Sequence, residues 1–147
     1  MYARIVVPLD GSPLAEQVLP HVQGLARCLG SQIILLQVLT HKTYDYLLDD
    51  AALSESLRSS EQTLATDYIT PLVRKLEAEG YSVTADVTTA TGAVADAIVE
   101  FTRRVDGSLI AMSTHGRTGP ARWVLGSVAD RVVRAAGIPV LLIHPRD

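Results

Sequence analysis

Apolar residues in this chain gather in five short runs, separated by stretches whose apolar positions recur every three or four residues. The runs are Arg4-Ile-Val-Val-Pro-Leu9, Gln32-Ile-Ile-Leu-Leu-Gln-Val-Leu39, Tyr81-Ser-Val-Thr-Ala-Asp-Val87, Ser108-Leu-Ile-Ala-Met112 and Pro139-Val-Leu-Leu-Ile-His144. Four of them are nearly continuous in apolar residues, the pattern of strands covered on both faces. The third alternates, with Val83, Ala85 and Val87 on one side, and reads as an edge strand.

Between the runs the period becomes helical. Leu14, Val18, Val22, Leu25 and Leu29 form one stripe on a helix that Ser12 caps and Pro13 begins, with Gly30 as its stop and a kink expected at Pro20. A longer helix is predicted from about Ser54 to Glu79, closed by Gly80 and kinked at Pro71. Ala93, Val94, Ala97, Ile98 and Phe101 mark a third helix, ending before Gly107. Val128, Val132, Val133 and Ala136 mark a fourth, stopped by Gly137 and Pro139.

Strands alternating with helices predict parallel pairing, hence an open five-stranded sheet with helices on both faces, in one domain over residues 1–147; the order 3-2-1-4-5 is the one expected for it. Ligands of such sheets sit beyond the carboxyl ends of the strands, where the strand order reverses. That brings Pro8-Leu-Asp-Gly-Ser12 and Met112-Ser-Thr-His-Gly116 to one crevice. The unpatterned segment from Thr40 to Leu53 reads equally as a mobile surface loop and as a lid near that crevice.

Composition narrows the function classes. A net charge of −3 supplies no basic field for nucleic acid. The apolar runs are strand-length, too short for a membrane span, and Asp10 and Pro13 interrupt the first before it takes signal-peptide form, so a cytoplasmic protein is expected. Cys28, the single cysteine, cannot form an internal disulfide and reads as a small buried helix residue.

The chemistry concentrates in Ser113-Thr-His-Gly-Arg-Thr-Gly-Pro-Ala-Arg-Trp-Val-Leu-Gly-Ser-Val128. A strand ends there, Gly116 and Gly119 interrupt the loop, and Gly126-Ser127 lead into a helix. Helix N-termini offer unpaired N–H groups and partial positive charge to phosphate. Ser127 adds a hydroxyl, and Arg117 or Arg122 a countercharge. Ser127-Val-Ala-Asp130 also fits a capping box that needs no ligand, and both glycines fit simple turns. A P-loop and a G-x-G-x-x-G fingerprint are absent. Ser113, His115 and Asp10 lack the G-x-S-x-G setting of a nucleophile, so no catalytic residue is assigned. His21, His41 and His144 have no metal-ligand spacing.

From Ile5-Val-Val-Pro-Leu-Asp-Gly-Ser12 to Gly137-Ile-Pro-Val-Leu-Leu-Ile-His-Pro145 the chain resembles the universal stress proteins. Nucleotide-binding members carry Gly, two residues, Gly, nine residues, then Gly with Ser or Thr; here Ser113, Gly116 and Gly126-Ser127 occupy that register. The resemblance implies a Rossmann-like fold of the adenine nucleotide alpha hydrolase type. It also implies an ATP-binding regulatory or sensor module of the stress response, with slow or no hydrolysis. Pro8 and Leu9 would line the base, Val38 would close its other side through its backbone, and Asp10 would lie near the adenosine. Met112, Ser113, His115, Gly116 and Arg117 would follow the ribose and phosphates, with Gly126, Ser127 and Val128 at the phosphate end. Magnesium or manganese would accompany the phosphates. On this reading Gly126→Val abolishes binding and leaves the fold largely intact. Two positions depart from the family: Ser113 replaces the first motif glycine, and Ser108 stands where Asp is common. Ser113 either crowds the ligand or donates to it.

The last strand, Val140–Ile143, is an apolar sheet edge, and both the exposed edge and the resemblance point to a homodimer formed through it. Packing under helices explains the same apolarity without a dimer. The alternative function is a stress-response interaction domain that binds no nucleotide and works through dimer and partner contacts.

Overall fold

The computed structural model describes residues 1–40, 50–115 and 125–146. In chain order these form β1 (Arg4–Leu9), α1 (Pro13–Glu16), α2 (Leu19–Leu29), β2 (Gln32–Thr40), α3 (Ala51–Ala78), β3 (Val83–Ala90), α4 (Val94–Arg104), β4 (Leu109–Ser113), α5 (Ser127–Ala135) and β5 (Val140–Ile143). The five strands make one parallel sheet, as the alternating pattern predicts, in the expected order β3-β2-β1-β4-β5.

Strand alternation divides the apolar runs between two cores. Ile5, Val7 and Leu9 of β1 join Ile33, Leu35, Leu109 and Ala111 under α1, α2 and α3, whose Ala15, Val18, Val22, Ile69 and Leu76 close that layer. Val6, Ile34, Leu36, Ile110 and Met112 pack on the opposite face against Ile98, Val99 and Phe101 of α4 and Ala129 and Val132 of α5. Ile5, Val6 and Val7 are all at 0% exposure, so neighbouring residues of one strand are buried in different layers. Each such side chain contributes roughly 1.5–3 kcal/mol over an exposed one.

The first helical stripe is broken rather than kinked. α1 stops at Glu16 and α2 begins at Leu19, with Pro20 in its first turn. Pro20 has no N–H for the Glu16 carbonyl and its ring crowds that oxygen, so the turn opens there. Gly30, at φ +66, closes α2 in the left-handed conformation that its lack of a Cβ permits. α3 starts three residues before Ser54 because the Asp50 carboxylate accepts from the Ala52 and Leu53 amides at 2.9 and 3.2 Å. It remains helical through Pro71. The segment read as loop or lid falls on residues 41–49, outside the described residues, except for its two ends.

β3 is the predicted edge, but it runs to Ala90, where Thr88, Thr89 and Ala90 pair with Val38, Leu39 and Thr40. Ala85, assigned to the buried side with Val83 and Val87, is exposed. Cys28 is exposed as well, against the buried placement expected of it: the inward stripe of α2 passes through Val22 and Ala26 and leaves residue 28 on the outer side. Of β5, Leu141 and Ile143 pack on one core and Val140 and Leu142 on the other, all half-buried. Packing under helices therefore accounts for part of that strand's apolarity.

Candidate functional site

The carboxyl ends of β1 and β4 are adjacent, and a tight turn follows each. After β1, the Asp10 Oδ1 accepts from the Ser12 amide at 2.9 Å across Gly11, whose φ of +83 a side chain would strain. The Ser12 hydroxyl in turn accepts from the Ala15 amide at 3.1 Å and caps α1. Asp10 thus orders the cap as well as standing at the strand tip.

After β4, the Thr114 amide donates to the Ile143 carbonyl at 2.9 Å, and the Thr114 carbonyl accepts from the Gly126 amide at 3.0 Å. This second bond brings the start of α5 onto the end of β4. A Cβ on Gly126 would lie 2.6 Å from that carbonyl oxygen, closer than real Cβ contacts allow. Gly126 has φ −59, so the residue is required for approach and not for backbone freedom. The space that the sequence suggested was reserved for phosphate is taken, at the Cβ position, by the protein's own backbone. Gly126→Val therefore disturbs the β4–α5 junction itself.

The capping-box reading of α5 does not hold. Gly126 is the N-cap, Ser127 is the exposed first helical residue, and no side-chain hydrogen bond caps the helix among the described residues. Asp130 instead accepts from Arg134 Nε at 3.0 and 3.1 Å. The opening amides of α5 have no intrahelical partners. α4 also lacks a side-chain cap, whereas α1 and α3 are capped by Ser12 and Asp50.

The strand faces sort the remaining residues. Val38, Met112 and Val128 lie in the α4–α5 layer, and Pro8, two residues on from Val6, shares their face. Leu9 is buried in the opposite core. Ser113 also faces that side: its hydroxyl donates to the Leu14 carbonyl at 2.9 Å and lies 3.3 Å from that of Ala15. It neither crowds the α5 side nor donates into it, so Leu9 and Ser113 offer only their main chain to that layer. Ser108 is also engaged internally, exchanging bonds of 3.1 Å with the amide and carbonyl of Arg4. Gly116 and Arg117 lie outside the described residues.

His115 follows directly. Its Cα lies 3.9 Å from the Cβ position of Gly126, its Nδ1 is 2.9 Å from the Thr114 hydroxyl, and its Nε2 is buried with no partner among the described residues. The same hydroxyl is 3.2 Å from Nδ1 of His144, and the two rings meet edge to face at 5.8 Å. Sequence reading passed over Thr114 and set His144 aside as isolated. Only the pairing of β4 with β5 joins residues thirty positions apart. On the α1 side, Tyr68 donates to Glu16 Oε1 at 3.0 Å. Burial, then that bond and the Glu16 and Asp10 charges, push its phenol well above the usual range. Among the described residues no group of three or more His, Cys, Asp or Glu is arranged to hold a metal.

With this arrangement in view, residues 1–144 match the model of the universal stress protein family. The chain belongs to that family. It is 31% identical over 146 residues to universal stress protein MJ0531 of Methanocaldococcus jannaschii, covering 97% of this chain and 82% of that one. The solved structure of MJ0577, also from M. jannaschii, superposes with a TM-score of 0.87 at 25% identity, covering 100% of this universal stress protein and 99% of MJ0577. A universal stress protein from Archaeoglobus fulgidus, solved in complex with dAMP, shares the fold with a TM-score of 0.67 at 24% identity, covering 97% and 98% of the two chains.

Proposed function

We propose that this universal stress protein binds ATP across the ends of β1 and β4 and serves as a regulatory or sensor module of the stress response, with slow or no hydrolysis. The observation that carries the reading is the start of α5: a helix N-terminus with no side-chain cap among the described residues, held against β4 by the Gly126–Thr114 bond. Its amides and partial positive charge suit phosphate oxygens. His115, whose Cα lies against Gly126, adds a buried Nε2 that has no partner among the described residues. Pro8, Val38 and Met112 supply an apolar wall on the same face for a base, while Gly126, Ser127 and Val128 would hold phosphate. Asp10 would serve the adenosine from the β1 turn, and Leu9 and Ser113 would contribute main chain only. Gly116 and Arg117 complete the proposed set. Magnesium or manganese would be held by the phosphates rather than by a protein cluster. That a related universal stress protein was solved in complex with dAMP supports an adenine nucleotide as the ligand class. A cytoplasmic homodimer paired through β5 belongs to the same proposal.

The second reading, an interaction domain without nucleotide, is favoured by one observation: Asp10 and Ser113 both spend hydrogen bonds on the α1 turn. Purified protein is denatured and the supernatant chromatographed, and the refolded chain is titrated with ATP by calorimetry. Released adenine nucleotide or saturable ATP binding supports the first reading. Neither at millimolar ATP supports the second.

A further inference from the structure

The Thr114 hydroxyl lies between two imidazole nitrogens of the same kind, 2.9 Å from Nδ1 of His115 and 3.2 Å from Nδ1 of His144. A hydroxyl carries one proton, and a neutral imidazole carries one on either Nδ1 or Nε2. Thr114 therefore donates to one ring at most. The other contact is a hydrogen bond only when that ring bears its proton on Nδ1 and donates to the hydroxyl oxygen. Both rings can donate to its two lone pairs, but that leaves the hydroxyl proton without an acceptor among the described residues; when that proton is used between the rings, two neutral imidazoles are opposite tautomers.

The two arrangements differ at the far nitrogens. In one, His115 accepts from Thr114 and carries its proton on the enclosed Nε2, while His144 donates through Nδ1. In the other, the protons are reversed and Nε2 of His115 is a bare acceptor. An anion that gains access to the enclosed Nε2 of His115 selects the first arrangement, because only that one offers it a donor. His144 is exposed and directly follows β5, so the selection is registered at the edge of the sheet.

We infer that Thr114 is a positioning residue that holds His115 and His144 in complementary tautomers, so that phosphate binding at His115 sets the protonation pattern of His144. The coupling itself rests on the three side chains; its response to phosphate rests on the nucleotide reading above.

The test is a two-bond proton–nitrogen correlation spectrum of the full chain labelled with ¹⁵N-histidine, at about pH 8, where free imidazole is neutral. Without ligand, His115 and His144 are expected to show opposite tautomers, or populations that mirror each other. With saturating ATP, His115 moves to the Nε2–H form and His144 to the Nδ1–H form. Thr114→Val removes the mirror relation and the His144 response; Thr114→Ser restores both. The same tautomer on both wild-type rings, or a His144 pattern unchanged in Thr114→Val, overturns the inference. If calorimetry shows no ATP binding, the nucleotide reading fails, and the ligand-free spectrum still decides the coupling. If Thr114→Val does not fold, the wild-type spectrum decides alone.

Discussion

Replacing Gly126 by Ala adds one methyl group at the junction of β4 and α5. That carbon would lie 2.6 Å from the Thr114 carbonyl oxygen, which belongs to the backbone and cannot swing aside as a side chain would. The helix start must move, and the 3.0 Å bond from the Gly126 amide to the same oxygen is lost or stretched. Overpacking of this kind costs about 1–3 kcal/mol, and the bond about 1 kcal/mol more. Against this, φ −59 suits alanine, and stiffening the unfolded chain returns about 0.4–1 kcal/mol. The net loss is about 1–3 kcal/mol, or roughly 2–12 °C in Tm for a chain of this size. Gly24, inside α2 with nothing within 4 Å of its Cβ position, is the control: Gly24→Ala should stabilise by about 0.5–1 kcal/mol. Urea unfolding of the three proteins measures both shifts. A Gly126→Ala protein as stable as wild type would refute the steric reasoning.

Ser113→Ala removes the bonds to α1 and should cost about 1 kcal/mol, while ATP affinity stays within twofold by calorimetry because the side chain faces the other layer. A large affinity change would return Ser113 to the α5 side. Tyr68→Phe should lower stability by about 0.5–1.5 kcal/mol near pH 8. Because folding raises the phenol's pKa, its contribution is complete below the unfolded value of about 10 and is lost as pH climbs toward the folded one. The gap between wild type and Tyr68→Phe should therefore close in denaturant curves taken above about pH 10, and a constant gap would count against the raised phenol. Asp96 accepts two bonds from Arg131, at 2.9 and 2.6 Å, but both side chains are more than half exposed. Asp96→Ala should cost under about 1 kcal/mol, and less still in molar salt.

The sheet was legible because four of its strands are near-continuous apolar runs and the third alternates, so each stands out against the helical period. Boundaries slipped where pairing carried polar residues, as at Thr88 and Thr89, which periodicity alone cannot assign. Pro20 announced an interruption but not its extent. The site was harder to read. Motif spacing pointed to Gly126 without revealing that a backbone carbonyl occupies its Cβ position. Counting alternately from Val6 along β1 separates Pro8 from Leu9, and the same count along β4 separates Met112 from Ser113. That arithmetic was in the sequence; treating each site segment as one surface concealed it. Thr114 and His144 carried no signal, because their meeting depends on the register of β4 with β5.

The four residues of α1 make too short a helix to stand alone in water. What steadies them comes from far along the chain. Ser113 reaches Leu14 across 99 positions, and the Gln17 side chain and the backbone of Arg146 exchange two 2.7 Å bonds across 129. Such distant closures form only after most of the sheet has assembled. The helix that follows the Asp10 turn is thus fastened to the far end of the chain. Losing the Arg146 contacts would keep the first strand but leave the threshold of the crevice loose.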